Sequence, residues 1–137
     1  MQTTKLIYVI DDNSDYRFLV SALFDRILPG YQLRVFDSGD ELVHHLFRGL
    51  QKPCLIVLDH HMPGRNGYKT LELIKKHPDW QVIPVIMLSS EASPQQIKTC
   101  YKAGANSFLH KPLHLEELQG VMTSLCHYWL DLNKLSV

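Results

Sequence analysis

The sequence predicts a doubly wound α/β fold with a five-stranded parallel sheet in the order 2-1-3-4-5. Short apolar runs alternate five times with segments whose apolar residues recur at helical spacing. The first run, residues 5–10, lacks the polar–apolar alternation of a strand with one solvated face, which indicates burial on both faces. Five strand–helix units without an intervening linker or repeat are typical of a parallel sheet with helices on both sides.

Turn and capping residues bound the predicted elements. The strands are expected at residues 5–10, 32–36, 54–58, 82–88 and 107–110. The helices are expected from Ser14 to Pro29, Ser38 to Gly49, Asn66 to Pro78, Ser93 to Gly104, and 114 to 131. Residues 59–66, with Pro63 and Gly64, are expected to form a loop. In the last helix, the residues expected to face the core are Leu115, Leu118, Met122, Leu125 and Trp129.

Length and composition favour one globular domain. The 137 residues are 45% hydrophobic, and 14 basic residues balance 14 acidic ones, which argues against bulk attraction to nucleic acid or an anionic membrane. The core is expected at about residues 5–131, and a short tail at 132–137 leaves no room for an output domain. Because the sequence has no signal peptide, membrane span or CxxC spacing, we expect a cytoplasmic protein with reduced cysteines.

Acidic, hydroxyl and amino side chains follow four of the predicted strands. Asp11 and Asp12 follow the first strand, Asp59 the third, Ser89 the fourth and Lys111 the fifth. The carboxyl ends of parallel strands share one edge, and ligands bind there where the strand order reverses. Carboxylates are ligands for Mg²⁺, and a carboxylate can accept a phosphoryl group as a nucleophile. A lysine can neutralise the carboxylates before transfer and a phosphoryl oxygen after it.

Each of these residues also has an ordinary explanation. Aspartates after a strand are common in turns and helix caps, and a lysine is usually solvated. Their joint placement at strand ends favours a functional site. Two histidine pairs, His44-His45 and His60-His61, raise the alternative of a transition-metal site. The first pair is expected on the surface, and the oxygen-rich surroundings of the second favour Mg²⁺ over zinc or nickel.

Across essentially its whole length, the chain resembles the receiver (CheY-like) domain of two-component response regulators, which has a flavodoxin-like fold. The resemblance rests on Asp11-Asp12, on LIVLDHHMPGRNG around Asp59, on Ser89, and on FLHKP, which ends in Lys111-Pro112. More loosely, the segments KHPDW, KPLHLEEL and HYWL resemble single-domain receivers that partner phytochrome-type kinases.

The resemblance implies a set of roles at the strand ends. Asp59 would accept a phosphoryl group from a sensor histidine kinase or a phosphotransfer protein. Asp12, Asp59 and the backbone carbonyl of His61 would hold Mg²⁺, with Asp11 acting partly through water. Ser89 and Lys111 would contact the phosphoryl group. The Lys111–Pro112 peptide bond would be cis, as is usual in such proteins.

The sequence departs from the commonest receiver pattern at several positions. Ser89 stands where threonine is frequent, which retains the hydroxyl group. Phe108 stands where the chemotaxis receiver has a switching tyrosine, so a hydroxyl-dependent part of the switch is absent. Asn66 replaces a frequent aspartate. His61 and Glu91 are expected to flank the route by which water reaches the phosphorus.

These observations predict a stand-alone phosphoacceptor that switches a protein-interaction face and transforms no free substrate beyond phosphodonors. That face would be formed by helix four, strand five and helix five, with Lys98, Tyr101, Lys102 and Leu118. Its partner would be a second copy of the chain, forming a homodimer, or a separate target, without direct contact to nucleic acid or membrane. The alternatives are an interaction module with little phosphoryl traffic, or a small Mg²⁺-dependent phosphohydrolase.

Overall fold

Five strands and five α-helices alternate along the part of the chain that the structure describes. A computed structural model describes residues 5–46, 48, 51–62 and 66–134. The strands are β1 (Leu6–Ile10), β2 (Gln32–Phe36), β3 (Leu55–Asp59), β4 (Val85–Ser89) and β5 (Ser107–His110). The helices are α1 (Ser14–Ile27), α2 (Gly39–Leu46), α3 (Gly67–Lys76), α4 (Pro94–Lys102) and α5 (Leu115–Cys126).

The strands form one parallel sheet in the order β2-β1-β3-β4-β5, which confirms the predicted fold class and topology. β1, β3 and β4 are buried along their whole lengths, as expected for strands covered on both faces. The register pairs Ile10 with Leu58, Asp59 with Leu88, and Ser89 with His110. The residues at the carboxyl ends of β1, β3, β4 and β5 therefore meet at one edge.

Alternate residues of the central strands enter two separate hydrophobic clusters, one on each face of the sheet. Tyr8 and Ile10 of β1 lie in the first cluster with Trp80, whereas Ile7 and Val9 lie in the second. This division follows from the two-residue period of a strand. Each cluster packs the helices of one face against the sheet. Packing on both faces keeps the strand ends in register.

The predicted caps are present at several helix starts. The Asn66 side chain accepts a hydrogen bond from the Lys69 amide at 2.9 Å. Ser93 and Gln96 form a reciprocal capping box at the start of α4. At the other end of that helix, Gly104 has a φ of +111°, a conformation that glycine adopts without a steric penalty.

The end of α5 and the start of β4 differ from the predicted bounds. α5 ends at Cys126, and a π-helical stretch continues from His127 to Leu132. β4 begins at Val85, three residues later than predicted, because the Lys75 ammonium binds the preceding carbonyls of Gln81 and Ile83 at 3.2 and 2.8 Å. Those two carbonyls are thereby satisfied by a side chain.

The burial of individual side chains agrees only in part with the sequence-based expectations. Leu115 was expected to face the core, but its side chain is 55% exposed because it is the first residue of α5. Cys100 and Cys126 are buried, in keeping with the predicted reduced cysteines, whereas Cys54 is only partly buried. Within the described residues, no helix is both long enough and apolar enough to span a membrane. Gly49, Pro63, Gly64 and residues 135–137 lie outside the described residues.

Two glycines give a matched test of this backbone. A Cβ at Gly104 would lie 2.9 Å from the Lys75 side chain and would require a strained positive φ, so Gly104→Ala should lower the free energy of unfolding by about 1–3 kcal/mol. Gly120 lies inside α5 with open space around it, so Gly120→Ala should raise that free energy by about 0.5–1 kcal/mol. Urea unfolding of both variants measures the difference. Equal effects would contradict the described end of α4.

Candidate functional site

Three aspartates lie together where β1 and β3 end. One carboxylate oxygen from each of Asp11, Asp12 and Asp59 lies within 4.8 Å of the others. The Asp11 amide donates to the Phe36 carbonyl at 3.0 Å, which extends the β1–β2 pairing by one residue. Asp11 and Asp59 are buried, with exposures of 1% and 4%, whereas Asp12 is exposed. The cluster therefore has two carboxylates inside the protein and one at its mouth.

The Lys111 ammonium lies between the two buried carboxylates. Its nitrogen is 2.6 Å from Asp11 Oδ2 and 3.5 Å from Asp59 Oδ2. It also lies 4.4 Å from the centroid of the Tyr16 ring, within cation–π distance. The Lys111 amide donates to the Ser89 carbonyl at 2.9 Å, which places its side chain beside the end of β4.

Burial and charge determine the protonation of this cluster. Burial and the neighbouring Asp11 carboxylate raise the pKa of Asp59 to about 6, against the opposing effects of Lys111 and the His61 amide. Burial by itself lowers the pKa of Lys111, but its contacts with Asp11 and Asp59 outweigh burial and raise that pKa. Lys111 therefore stays protonated, and Asp59 is largely ionised at neutral pH.

The donor set suits a divalent cation. When ionised, three carboxylates beside one ammonium leave two negative charges, which one divalent cation would balance. Oxygen ligands at a partly open position are the set that Mg²⁺ prefers. The His61 amide donates to Asp59 Oδ1 at 3.3 Å, so the backbone of His61 lies close to the same carboxylate.

Ser89 is buried at the end of β4, and its hydroxyl bonds to the backbone of the loop that follows. Its hydroxyl donates to the Glu91 carbonyl at 2.8 Å and accepts from the Glu91 amide at 3.2 Å. The structure thus shows Ser89 turned toward the loop after β4. The contact with a phosphoryl group that the sequence suggested stays a prediction.

The two histidines after Asp59 have different surroundings. His61 Nε2 lies 2.5 Å from the Glu91 carbonyl. His60 packs edge-on against Phe108 with 5.7 Å between ring centroids, and its buried Nδ1 has no hydrogen-bond partner among the described residues. His44 is exposed as predicted, whereas His45 is partly buried against Phe36.

The sequence did not identify the residues of α1 that support the cluster. The Asn13 side chain accepts from the Tyr16 amide and caps α1 beside the aspartates. Arg17 Nη1 donates to the Asp11 carbonyl at 2.8 Å. The Tyr16 hydroxyl donates to the Pro112 carbonyl at 3.0 Å, which holds the loop that carries Lys111. The signal that could have found them was Asn13 as a helix cap directly after two aspartates.

Gly67 is the other supporting residue that sequence reasoning overlooked. A Cβ at this position would lie 2.3 Å from the Asp59 carbonyl oxygen and 2.7 Å from the His60 Cα. The Gly67 amide donates to the His60 carbonyl at 3.2 Å. Only glycine allows the start of α3 to approach the end of β3 this closely. The Asn-Gly pair at 66–67 was the available signal.

Two predictions about this region are wrong. The Lys111–Pro112 bond is trans, not cis. Trans is the favoured isomer of such bonds, and in this isomer the Pro112 carbonyl accepts a hydrogen bond from the Tyr16 hydroxyl.

Leu118 was placed on an interaction face, but it is fully buried because it faces the sheet from α5. On that face Tyr101 is 48% exposed, and its hydroxyl accepts from the Phe108 amide at 3.1 Å.

Curated proteins are similar to this chain in sequence. Two-component response regulator ARR16 of Arabidopsis thaliana is 34% identical over 131 residues, covering 88% of this chain and 78% of that protein. The probable methanogenesis regulatory protein FilR2 of Methanothrix harundinacea is 28% identical, covering 94% and 86%. Two-component response regulator ORR1 of Oryza sativa is 42% identical, but the chain spans only 52% of its length.

Solved structures share the fold. The phosphorylated cyanobacterial phytochrome response regulator RcpA superposes with a TM-score of 0.86 at 26% identity, covering 98% of this chain and all of that one. The Mn²⁺-bound form of response regulator Rcp1 gives a TM-score of 0.85 at 24% identity, covering 97% and 99%. A family model of the response regulator receiver domain matches residues 7–123. The chain therefore belongs to the response regulator receiver family of two-component signalling.

Proposed function

We propose that this protein is a phosphoacceptor in a two-component relay, with Asp59 as the acceptor. The observation that carries the proposal is the pairing of the buried Asp59 with Lys111 and two further carboxylates. The phosphoryl donor is a phosphohistidine on a sensor histidine kinase or a phosphotransfer protein. The structural similarity to RcpA supports a phytochrome-type kinase as that donor.

Asp12, Asp59 and the His61 carbonyl are the groups proposed to hold Mg²⁺, with Asp11 acting through water. The ion would supply charge that offsets the phosphoryl oxygens. Asp59 must be ionised to act as a nucleophile, and a pKa of about 6 leaves it so at neutral pH. The Asp59–phosphorus bond forms as the bond from phosphorus to the donor imidazole nitrogen breaks. Water later hydrolyses the acyl phosphate and releases inorganic phosphate.

Lys111 acts on both sides of this transfer. Before it, the ammonium offsets the charges of Asp11 and Asp59 at 2.6 and 3.5 Å. After it, the same ammonium pairs with a phosphoryl oxygen, because Asp59 no longer carries a full carboxylate charge. The Tyr16 ring and the Asp11 carboxylate keep the side chain in place throughout.

The phosphoryl group is proposed to change the surface formed by α4, β5 and α5. Ser89 would leave the Glu91 backbone to donate to a phosphoryl oxygen. Phe108 lies between that region and the surface, because it packs on the hydrophobic cluster that contains Met87 of β4 and its amide binds the exposed Tyr101. The recipient of the signal is a second copy of the chain or a separate target protein.

Phosphorylation can be tested with small phosphodonors. Incubation with Mg²⁺ and acetyl phosphate or phosphoramidate should add one phosphoryl mass that hydroxylamine removes, because the product is an acyl phosphate. Asp59→Asn should abolish the addition, and Asp12→Ala should slow it by removing a metal ligand. Intact-mass spectrometry reads the result. Labelling of Asp59→Asn as strong as that of the wild type would refute Asp59 as the acceptor.

The raised pKa of Asp59 predicts a pH-dependent stability. Its folded pKa of about 6 exceeds the ordinary aspartate value of 3.8, so its favourable contribution to folding is complete in acid and is lost as pH rises through about 6. Asp59→Asn should therefore raise the free energy of unfolding by about 1–3 kcal/mol at about pH 7.5 without metal. Near pH 4 the difference in free energy of unfolding between Asp59→Asn and the wild type should disappear.

Mg²⁺ provides the control for this stability difference. A cation that binds the ionised cluster stabilises the folded state by mass action, so Mg²⁺ should raise the melting temperature of the wild type more than that of Asp59→Asn. Thermal melts at several pH values, with and without Mg²⁺, measure both effects. A variant less stable than the wild type at neutral pH would show that burial does not raise the pKa of Asp59.

If the phosphoryl state acts through the surface formed by α4, β5 and α5, it should change how strongly the protein binds a second copy or a target. Beryllofluoride with Mg²⁺ mimics the phosphoryl group and should strengthen self-association or target binding, and Tyr101→Glu should weaken it by placing a charge at an exposed aromatic position. Ile27→Glu on α1, similarly exposed at 47%, is the matched control. Sedimentation and amide exchange report the response. Unchanged mass together with unchanged exchange across residues 93–130 would exclude this face.

A further inference from the structure

The backbone carbonyl of Glu91 accepts two side-chain hydrogen bonds. The Ser89 hydroxyl lies 2.8 Å from it, and His61 Nε2 lies 2.5 Å from it. A carbonyl oxygen can only accept, so His61 must carry its proton on Nε2 and donate it. The same carbonyl therefore binds one side chain from the loop after β3 and one from the end of β4.

These contacts join the two loops beside the acceptor. His61 is two residues after Asp59, and its amide donates to Asp59 Oδ1 at 3.3 Å. Glu91 is two residues after Ser89, and its amide donates to the Ser89 hydroxyl at 3.2 Å. The imidazole thus spans from the backbone that touches Asp59 to the backbone that holds Ser89. It borders two open cavities of about 490 and 620 Å³, both of which are also lined by Gln96.

We propose that His61 is a positioning residue that acts on Ser89 through the Glu91 carbonyl; this inference rests on the proposed phosphoacceptor function. When Ser89 leaves to donate to a phosphoryl oxygen, the Glu91 carbonyl keeps the imidazole as its donor. Without the imidazole, that carbonyl loses both side-chain donors. His61 therefore favours release of Ser89.

A different role for His61 is steric, with the ring acting only as a cover over the acceptor. Two substitutions separate these roles because they place an amide nitrogen at different points. In His61→Gln, the side-chain nitrogen reaches about as far from the backbone as Nε2 does, so it can still donate to the Glu91 carbonyl. In His61→Asn, the nitrogen takes the place of Nδ1 and cannot reach that carbonyl. Neither variant alters the His61 backbone carbonyl.

The experiment measures the dissociation constant of beryllofluoride at saturating Mg²⁺ by titration calorimetry. His61→Asn should weaken binding by about three- to tenfold, the effect of one lost hydrogen bond, and His61→Gln should restore most of the wild-type affinity. In a Ser89→Ala background the same His61→Asn change should have no effect, because no hydroxyl remains to be released. Amide exchange at Glu91 should accelerate on beryllofluoride binding in the wild type, since its amide loses Ser89 as acceptor.

The possible results separate the proposed phosphoacceptor function from the positioning role of His61. If the wild type binds no beryllofluoride, the proposed phosphoacceptor function fails, and the role of His61 fails with it. If the wild type binds but His61→Gln and His61→Asn are equally weak, size rather than hydrogen bonding matters, and the positioning role is refuted. A loss in His61→Asn that persists in the Ser89→Ala background would refute it as well. Rescue by glutamine together with loss of the effect in that background supports it.

Discussion

The ion pairs of Lys111 are the interactions on which the rest of the site depends. Two buried carboxylates side by side repel each other and lose hydration, and either effect alone would favour protonation. The Lys111 ammonium, 2.6 Å from Asp11 and 3.5 Å from Asp59, offsets much of this cost without removing it. The remaining negative charge raises the pKa of Asp59 and provides the attraction for a divalent cation.

The fold places this negative charge at the edge of the sheet where the strands end. The strand order brings the ends of β1 and β3 together at the point where the chain reverses direction across the sheet. Close approach at Gly67 and the hydrogen bond from Tyr16 to Pro112 fix the loops on either side. The proposed phosphoryl chemistry therefore depends on contacts of α1 and α3 as well as on the acidic residues themselves. In the proposed function, a change in the phosphoryl state reaches the surface through the residues that touch the same loops.

The sequence predicts the strand ends well because each buried strand is a continuous apolar run that ends in a polar residue, as at Asp59 and Ser89. It cannot show where those side chains rest. The bond from Ser89 to the Glu91 carbonyl and the reach of His61 depend on the relative positions of two loops. Likewise, the late start of β4 results from Lys75 binding carbonyls of another segment. His61 and Glu91 are 30 residues apart in sequence, and the other contacts depend on how a turn or loop places a side chain, so apolar and capping patterns carry no signal for them.

The pKa of the Asp59 carboxyl group tests whether burial and the neighbouring carboxylates outweigh Lys111 and leave charge for a cation. Carbon-13 chemical shifts of the aspartate carboxyl groups, followed against pH with and without Mg²⁺, measure it in the intact protein. We expect a pKa near 6 without metal and, at saturating Mg²⁺, a pKa below the ordinary value of about 4, because the cation favours the charged form. A value near 4 that does not respond to Mg²⁺ would contradict both the burial cost and the cation site.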